Sequence, residues 1–278
     1  MPDTDGSLMR RAALAACLFL TLAAAASAQQ TEPPGFAPAP AAPDFLTRYD
    51  FHLSAGKLNL STPDGVEDPR FVWDTHFGGD LDVVDYVTGR VSMLVDYEAV
   101  LGREFRAFDP NQGNYTLEAS ASWRVNGTEI AGVLHHVSRH LGDRPKRFPI
   151  AWNVLGLRAM RRIEVAGTTA DVTVGAGRIV QHSTVDYQWT GDVDVLVRHP
   201  INTRVGLFAR GTGQGFLINS DVSNRGKQLG GKAEAGVRLN GPRGAVELFA
   251  GYERRVDADP LDFQPQRWAL AGFRLLAR

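Results

Sequence analysis

The chain has almost no cysteine: Cys17 is the only one among 278 residues, and it lies inside an apolar N-terminal run. Beyond that run no disulfide, thiolate nucleophile or cysteine-rich metal site is available. An excess of charge of one sign is missing too. Thirty Lys and Arg stand against 31 Asp and Glu, a formal net charge of −1. That balance lacks the basic surplus that grips a polyanion, so no nucleic-acid partner is implied. After the N-terminal run, no segment reaches the roughly 18 apolar residues of a membrane-spanning helix. There is no phosphate loop, no dinucleotide fingerprint and no zinc spacing.

The N-terminal run has a clear reading of its own. Met9-Arg10-Arg11 is a short basic region, Ala12 to Ala26 is apolar, and Ala26-Ser27-Ala28 is a small-x-small cleavage site. Residues 1–28 are therefore expected to be a secretory signal peptide, cleaved near Ala28. Residues 29–43, QQTEPPGFAPAPAAP, read as a Pro- and Ala-rich leader. From 44 to 278 the composition is uniform, which indicates one domain of a size suited to a single β-barrel.

What fills that domain is alternation. In the stretch from Asn114 to Val125, Tyr115, Leu117, Ala119, Ala121, Trp123 and Val125 fall on one face, against Thr116, Glu118, Ser120, Ser122 and Arg124. Val91 to Leu101 repeats the pattern. So do Phe71 to Val83, Val185 to Arg198 and Leu229 to Leu239. A period of two is the mark of a strand with chemically different faces. A soluble sandwich also alternates, but three features favour a membrane barrel. Tyr and Trp sit near the ends of the apolar faces, the strands run to ten or more residues, and long and short connections alternate.

The expected fold is an all-β, transmembrane, antiparallel up-and-down barrel of about 12 strands, in the outer membrane of a Gram-negative envelope. The strands are expected at 49–60, 70–84, 90–102, 114–125, 128–140, 149–163, 169–181, 184–198, 203–211, 229–240, 244–255 and 267–278. The inward faces carry charge of both signs. Asp74, Asp82, Asp96, Glu98 and Glu118 come from early strands, and Arg204, Arg210, Lys232 and Arg238 from later ones. Paired across the lumen, they would obstruct it. Asp80 with Asp82 and Asp192 with Asp194 read as lumenal charge rather than as catalytic acid pairs.

One strand departs from this scheme. LHHVSRHLGD, from Leu134 to Asp143, holds three histidines and a serine. If Glu129 and Arg139 face inward, His135 does as well, and His136, Ser138 and His140 face the lipid. On the next strand Arg158 and Arg162 should point inward, which turns Asn153 outward. For a loop centred between Arg144 and Pro145, His136 lies opposite Asn153; a register shifted by two residues places Ser138 opposite Asn153 instead, and in either case His136, Ser138 and Asn153 share one outward patch.

A His-x-Ser pair on one strand, with an Asn from a Trp152-Asn153 dipeptide on the next, resembles the outer-membrane phospholipase A family. The resemblance implies a 12-stranded barrel that hydrolyses phospholipid acyl esters, with calcium as cofactor and a homodimer as the active form. Carried over to this chain, it makes Ser138 the nucleophile, His136 the general base and Asn153 the group that orients the imidazole. HVSRHLGD, from His136 to Asp143, is also similar to a stretch in an outer-membrane barrel family of unknown function, which implies fold and location only. Three alternatives stay open: polar residues at the barrel rim without chemistry, metal binding by His136 and His140, and a non-enzymatic barrel acting as a narrow pore or a scaffold.

Overall fold

In a computed structural model, which describes residues 36, 38–60, 68–142 and 148–277, these strands close on themselves. The twelve are β1 (Asp44–Leu60), β2 (Trp73–Asp85), β3 (Arg90–Gly102), β4 (Asp109–Val125), β5 (Thr128–Leu141) and β6 (Ile150–Val165), followed by β7 (Thr168–Ser183), β8 (Tyr187–Pro200), β9 (Val205–Ile218), β10 (Gln228–Gly241), β11 (Gly244–Asp259) and β12 (Gln264–Ala277). Each pairs antiparallel with its neighbours in sequence, and β1 pairs with β12. Closure leaves no sheet edge, so backbone groups in the hydrocarbon are paired within the wall. The signal-peptide reading of residues 1–28, and most of the leader, lie outside the described residues.

The polarity is inside out, as a membrane barrel requires. Phe77, Leu155 and Leu157 are each about 60 % exposed or more on the outer face, whereas Asp82 in the lumen is fully enclosed. The alternation of charge and apolar bulk along the strands causes this: the face that cannot meet lipid turns inward. Lumenal charge is then neutralised by pairing. Arg90 bonds Glu129 at 2.7 Å and Asp82 at 2.9 Å, and Ser122 Oγ donates to Glu129 at 2.6 Å. Arg255 crosses from β11 to reach Asp74 at 2.8 Å and Glu98 at 2.7 Å.

The pairing partners differ in detail from those expected. Arg210 bonds Asp194 on adjacent β8, and Arg238 bonds Glu247 on adjacent β11. Arg204 is exposed in the turn before β9 and is not lumenal. Arg255 and Arg139 do reach across the lumen. Three aromatic or branched residues also change sides. Phe71 precedes β2 and is buried with its ring 5.3 Å from that of Trp268. A register shift between Tyr187 and Trp189 turns Tyr187 inward while Trp189 stays outside, and Val185 is buried too. A β-bulge adds one residue to a strand and so inverts the parity beyond it.

Both ends of the lumen are shaped by such local breaks. At the long-connection end, β11 shifts register between Arg255 and Asp259, and Val256, Asp257 and Ala258 are all buried. Arg139 donates to the carbonyls of Asp257 at 2.6 Å and Ala258 at 2.8 Å, and Gln112 donates to Ala258 at 2.7 Å. Trp152, Tyr187 and Phe216 pack beside this segment, with Tyr187 and Phe216 stacked 4.1 Å apart. Together they plug that mouth. At the other end a cavity of about 750 Å³ is lined by Arg48, Asp80, Arg162 and Asp171. Phe36 from the leader reaches into it beneath the Arg162 guanidinium, 4.8 Å from the ring centre.

Candidate functional site on the lipid-facing wall

The parity of β5 follows from its charges. Glu129 and Arg139 are buried in the lumenal networks, which turns Gly132, Leu134, His136, Ser138 and His140 to the other face. His135 points inward, with Nδ1 3.0 Å from Glu118 Oε2. On β6, Trp152, Val154 and Met160 are buried, so Asn153 turns outward.

The register places His136 directly opposite Asn153, and Ser138 opposite Ala151. His136 Nδ1 lies 2.7 Å from Asn153 Oδ1. An amide oxygen only accepts, so Nδ1 carries the proton and Nε2 is left as the basic nitrogen. Asn153 Nδ2 in turn donates to Gln181 Oε1 at 2.8 Å.

Gln181 reaches that position through a bulge. The β6–β7 register shifts between Asn153 and Val154, pairing Asn153 with Gln181 but Val154 with Ile179. Val180 is the extra residue, and Ile179 inside and Gln181 outside are the result. Sequence reasoning missed Gln181, because unbroken alternation from Gly175 and Gly177 would have turned it into the lumen.

Ser138 is near His136 but bonded elsewhere: its Oγ lies 3.1 Å from His140 Nε2. Residues two apart on a strand face are about 6.6 Å apart along the chain. His140 is fixed by Tyr115, whose ring meets it edge-on at 5.3 Å and 87°. Tyr115 lies 5.0 Å from Tyr97, so the serine has an aromatic flank toward β4 and β3.

The geometry bears on the metal readings. His136 and His140 are four residues apart on one strand, about 13 Å along the chain, and their facing nitrogens bond Asn153 and Ser138. That spacing does not suit a common ion. The nearest cross-strand neighbours of Ser138 and His136 are Tyr115, Ala151, Leu117 and Asn153. They offer no carboxylate, so the described residues at this patch do not themselves compose a calcium site. Asp143 lies outside the described residues. In the lumen, Asp74, His76 and Glu98 bring potential ligand atoms within 4.8 Å of one another. Arg255 already binds two of these three groups.

No family model and no curated protein matches the chain. Among solved structures it is similar to an active-site mutant of outer membrane phospholipase A from Escherichia coli, at 13 % identity over 89 % of this chain and 94 % of that one, with a TM-score of 0.47. It is similar also to the calcium-bound dimer of the Salmonella typhi outer membrane phospholipase, at 12 % identity over 81 % and 89 % of the two chains and a TM-score of 0.47. A third is the outer membrane protein Omp33 of Acinetobacter baumannii, at 8 % identity over 83 % and 97 %, with a TM-score of 0.39.

Proposed function

We propose that the protein is an outer-membrane barrel that hydrolyses lipid acyl esters, with Ser138 as nucleophile, His136 as general base and Asn153 as the residue orienting the base. The observation that carries this reading is the Asn153–His136 hydrogen bond on the lipid-facing wall. A polar pair facing lipid is costly unless it is satisfied. Here the two groups satisfy each other, and Ser138 stands two residues along the strand on the same face.

Ser138 Oγ turns to His136 Nε2 and loses its proton to it as it attacks the ester carbonyl of a lipid lying against the wall. The tetrahedral intermediate collapses, and the imidazolium returns the proton to the departing lyso-lipid alkoxide. Water, activated by the same nitrogen, then releases the fatty acid. Asn153 keeps Nδ1–H engaged throughout, so Nε2 always faces the reacting groups. Outward placement suits the substrate, because the acyl chains need not leave the membrane.

The exported state, with residues 1–28 removed, and a barrel spanning 44–278 belong to the same proposal. So does a homodimer, which would shield the outward polar patch from lipid. The test is fatty-acid release from mixed phospholipid–detergent micelles by the purified barrel. Hydrolysis that disappears in Ser138→Ala supports the reading. A folded wild-type protein that releases no fatty acid, with or without calcium, overturns it.

A further inference from the structure

The lumen holds a cluster that the proposed hydrolysis does not use. Asp74 and His76 stand two residues apart on β2, and both line a small lumenal cavity of about 50 Å³. Glu98 of β3 lies directly opposite His76, and Asp96 lies two residues before it on the same face. Potential ligand atoms of Asp74, His76 and Glu98 fall within 4.8 Å of one another. Glu253 and Arg255 of β11 line the same cavity.

The imidazole is held as a metal-binding histidine is held. Its Nδ1 lies 2.9 Å from Asp96 Oδ2, and Asp96 Oδ1 is anchored 2.8 Å from His52 Nε2. A carboxylate on Nδ1 keeps the proton there and leaves the Nε2 lone pair facing Asp74 Oδ1, 3.5 Å away. Asp74 is 5 % exposed, and its Oδ1 has no hydrogen-bond partner among the described residues; nor has Glu253 Oε2. Two electron pairs that face each other in a dry lumen call for a cation between them. Two ligands of a tetrahedral zinc ion, each about 2.0 Å from it, stand about 3.3 Å apart, close to the spacing found. Arg255 does not fill that place. It bonds Asp74 through Oδ2 at 2.8 Å, Glu98 through Oε1 at 2.7 Å and Glu253 through Oε1 at 2.6 Å, so one positive charge is divided among three carboxylates.

We infer that Asp74, His76 and Glu98 form a lumenal binding site for a divalent transition-metal ion of the zinc type. Asp74 Oδ1 and His76 Nε2 are the principal ligands, Glu98 is the third, and the fourth position is left to water. Asp96 orients the imidazole from behind. The nitrogen ligand selects against calcium and magnesium, which take oxygen. The ion enters from the wide cavity at the leader end, since Arg210 and Arg274 border both cavities. Once bound, it ties β2 to β3 inside the barrel. The site is independent of hydrolysis at Ser138 and would stand if that activity were absent.

The test is zinc retention by the untagged protein in detergent, stripped with a chelator, equilibrated with zinc chloride and passed through gel filtration. Plasma mass spectrometry should find about one zinc ion per wild-type chain, and Asp74→Asn/His76→Gln should lose it. His136→Ala/His140→Ala should keep it, which separates the lumenal site from the outward histidines. Zinc-edge X-ray absorption on the wild type needs no variant to fold. It should show one imidazole nitrogen among oxygens at about 2.0–2.2 Å. Folded wild type that retains no zinc overturns the inference and leaves His76 as an imidazolium shared by Asp74 and Asp96. Two or more imidazoles around the zinc overturn it as well, and so does undiminished zinc in a folded Asp74→Asn/His76→Gln barrel.

Discussion

His136 and Asn153 face each other across the β5–β6 seam, Nδ1 of one 2.7 Å from Oδ1 of the other, on the wall that meets lipid. The bond fixes the imidazole tautomer, and the Gln181 amide fixes Asn153 from behind. Asn153→Ala is therefore expected to lower the turnover number for ester hydrolysis by on the order of 10²-fold, the lower range for a correctly held general base. Gln181→Leu removes only the outer support. It should lower the turnover number by about tenfold and leave KM unchanged, since Gln181 sits behind Asn153 and acts through it. A rise in KM without loss of turnover would place Gln181 against the substrate instead.

Two histidines flank Ser138, and kinetics can tell which one acts. His140 holds the hydroxyl in the resting arrangement, and its ring packs edge-on against Tyr115. His136→Ala should cost about 10²–10⁴-fold in turnover. His140→Phe keeps the edge-on aromatic contact and frees the serine, so activity should be retained or raised. Loss of activity in His140→Phe, with His136→Ala still active, would transfer the role of base to His140.

The plug at the long-connection mouth implies a barrel that does not conduct. Arg139 ties the inward bend of β11 to the opposite wall through the carbonyls of Asp257 and Ala258. In planar bilayers the wild type should show no steady ion current, and Arg139→Ala should produce channel openings. A stable wild-type conductance would return the narrow-pore alternative to first place.

Above the plug, Arg225 grips Asp186 in the β7–β8 connection at 2.7 and 2.9 Å. Burial pushes the Asp186 carboxyl upward, but the Arg225 hydrogen bonds outweigh it and hold the group below the usual aspartate range. A carboxyl so depressed contributes stability above its unfolded pKa of about 4, and that contribution fades as pH falls through the lowered folded value. Hydrogen-exchange protection of residues 184–187, corrected for intrinsic rate, should stay level from pH 8 to pH 5 and fall only in stronger acid. Loss of protection near neutral pH would contradict this.

Inside the barrel, Glu129 is enclosed with Arg90 and Ser122. Glu129→Ala leaves the guanidinium with Asp82 as its remaining acid in a dry setting. The expected cost is about 3–5 kcal/mol, the range for breaking a buried pair from one side. Urea unfolding in detergent, followed by the gel shift between folded and unfolded forms, measures it. A change under about 1 kcal/mol would mean that water reaches Arg90.

The barrel was legible because a period of two with opposite chemistry on the two faces has few other solutions. Twelve strands form at the expected places, although β9 runs on to Ile218 beyond the expected end at 211, and β1 and β4 begin at Asp44 and Asp109 rather than at 49 and 114. Of the two β5–β6 registers, the one centred between Arg144 and Pro145 is found. What escaped the sequence are the departures from that period. Bulges at Val180, Gln188 and the end of β11 each invert the faces locally, and no composition rule marks them. They account for Gln181 beside Asn153, for Tyr187 inside, and for the plug. The Ser138–His140 bond was equally hidden, because alternation fixes which face a side chain takes and leaves its rotamer free.

The most direct measurement is covalent labelling of the refolded barrel with a long-chain alkyl fluorophosphonate, followed by peptide mass spectrometry. A serine activated by His136 should be phosphonylated at Ser138 alone. The label should vanish in His136→Ala and weaken in Asn153→Ala. Absence of label on Ser138 in folded wild-type protein, or label that persists undiminished in His136→Ala, would contradict the account.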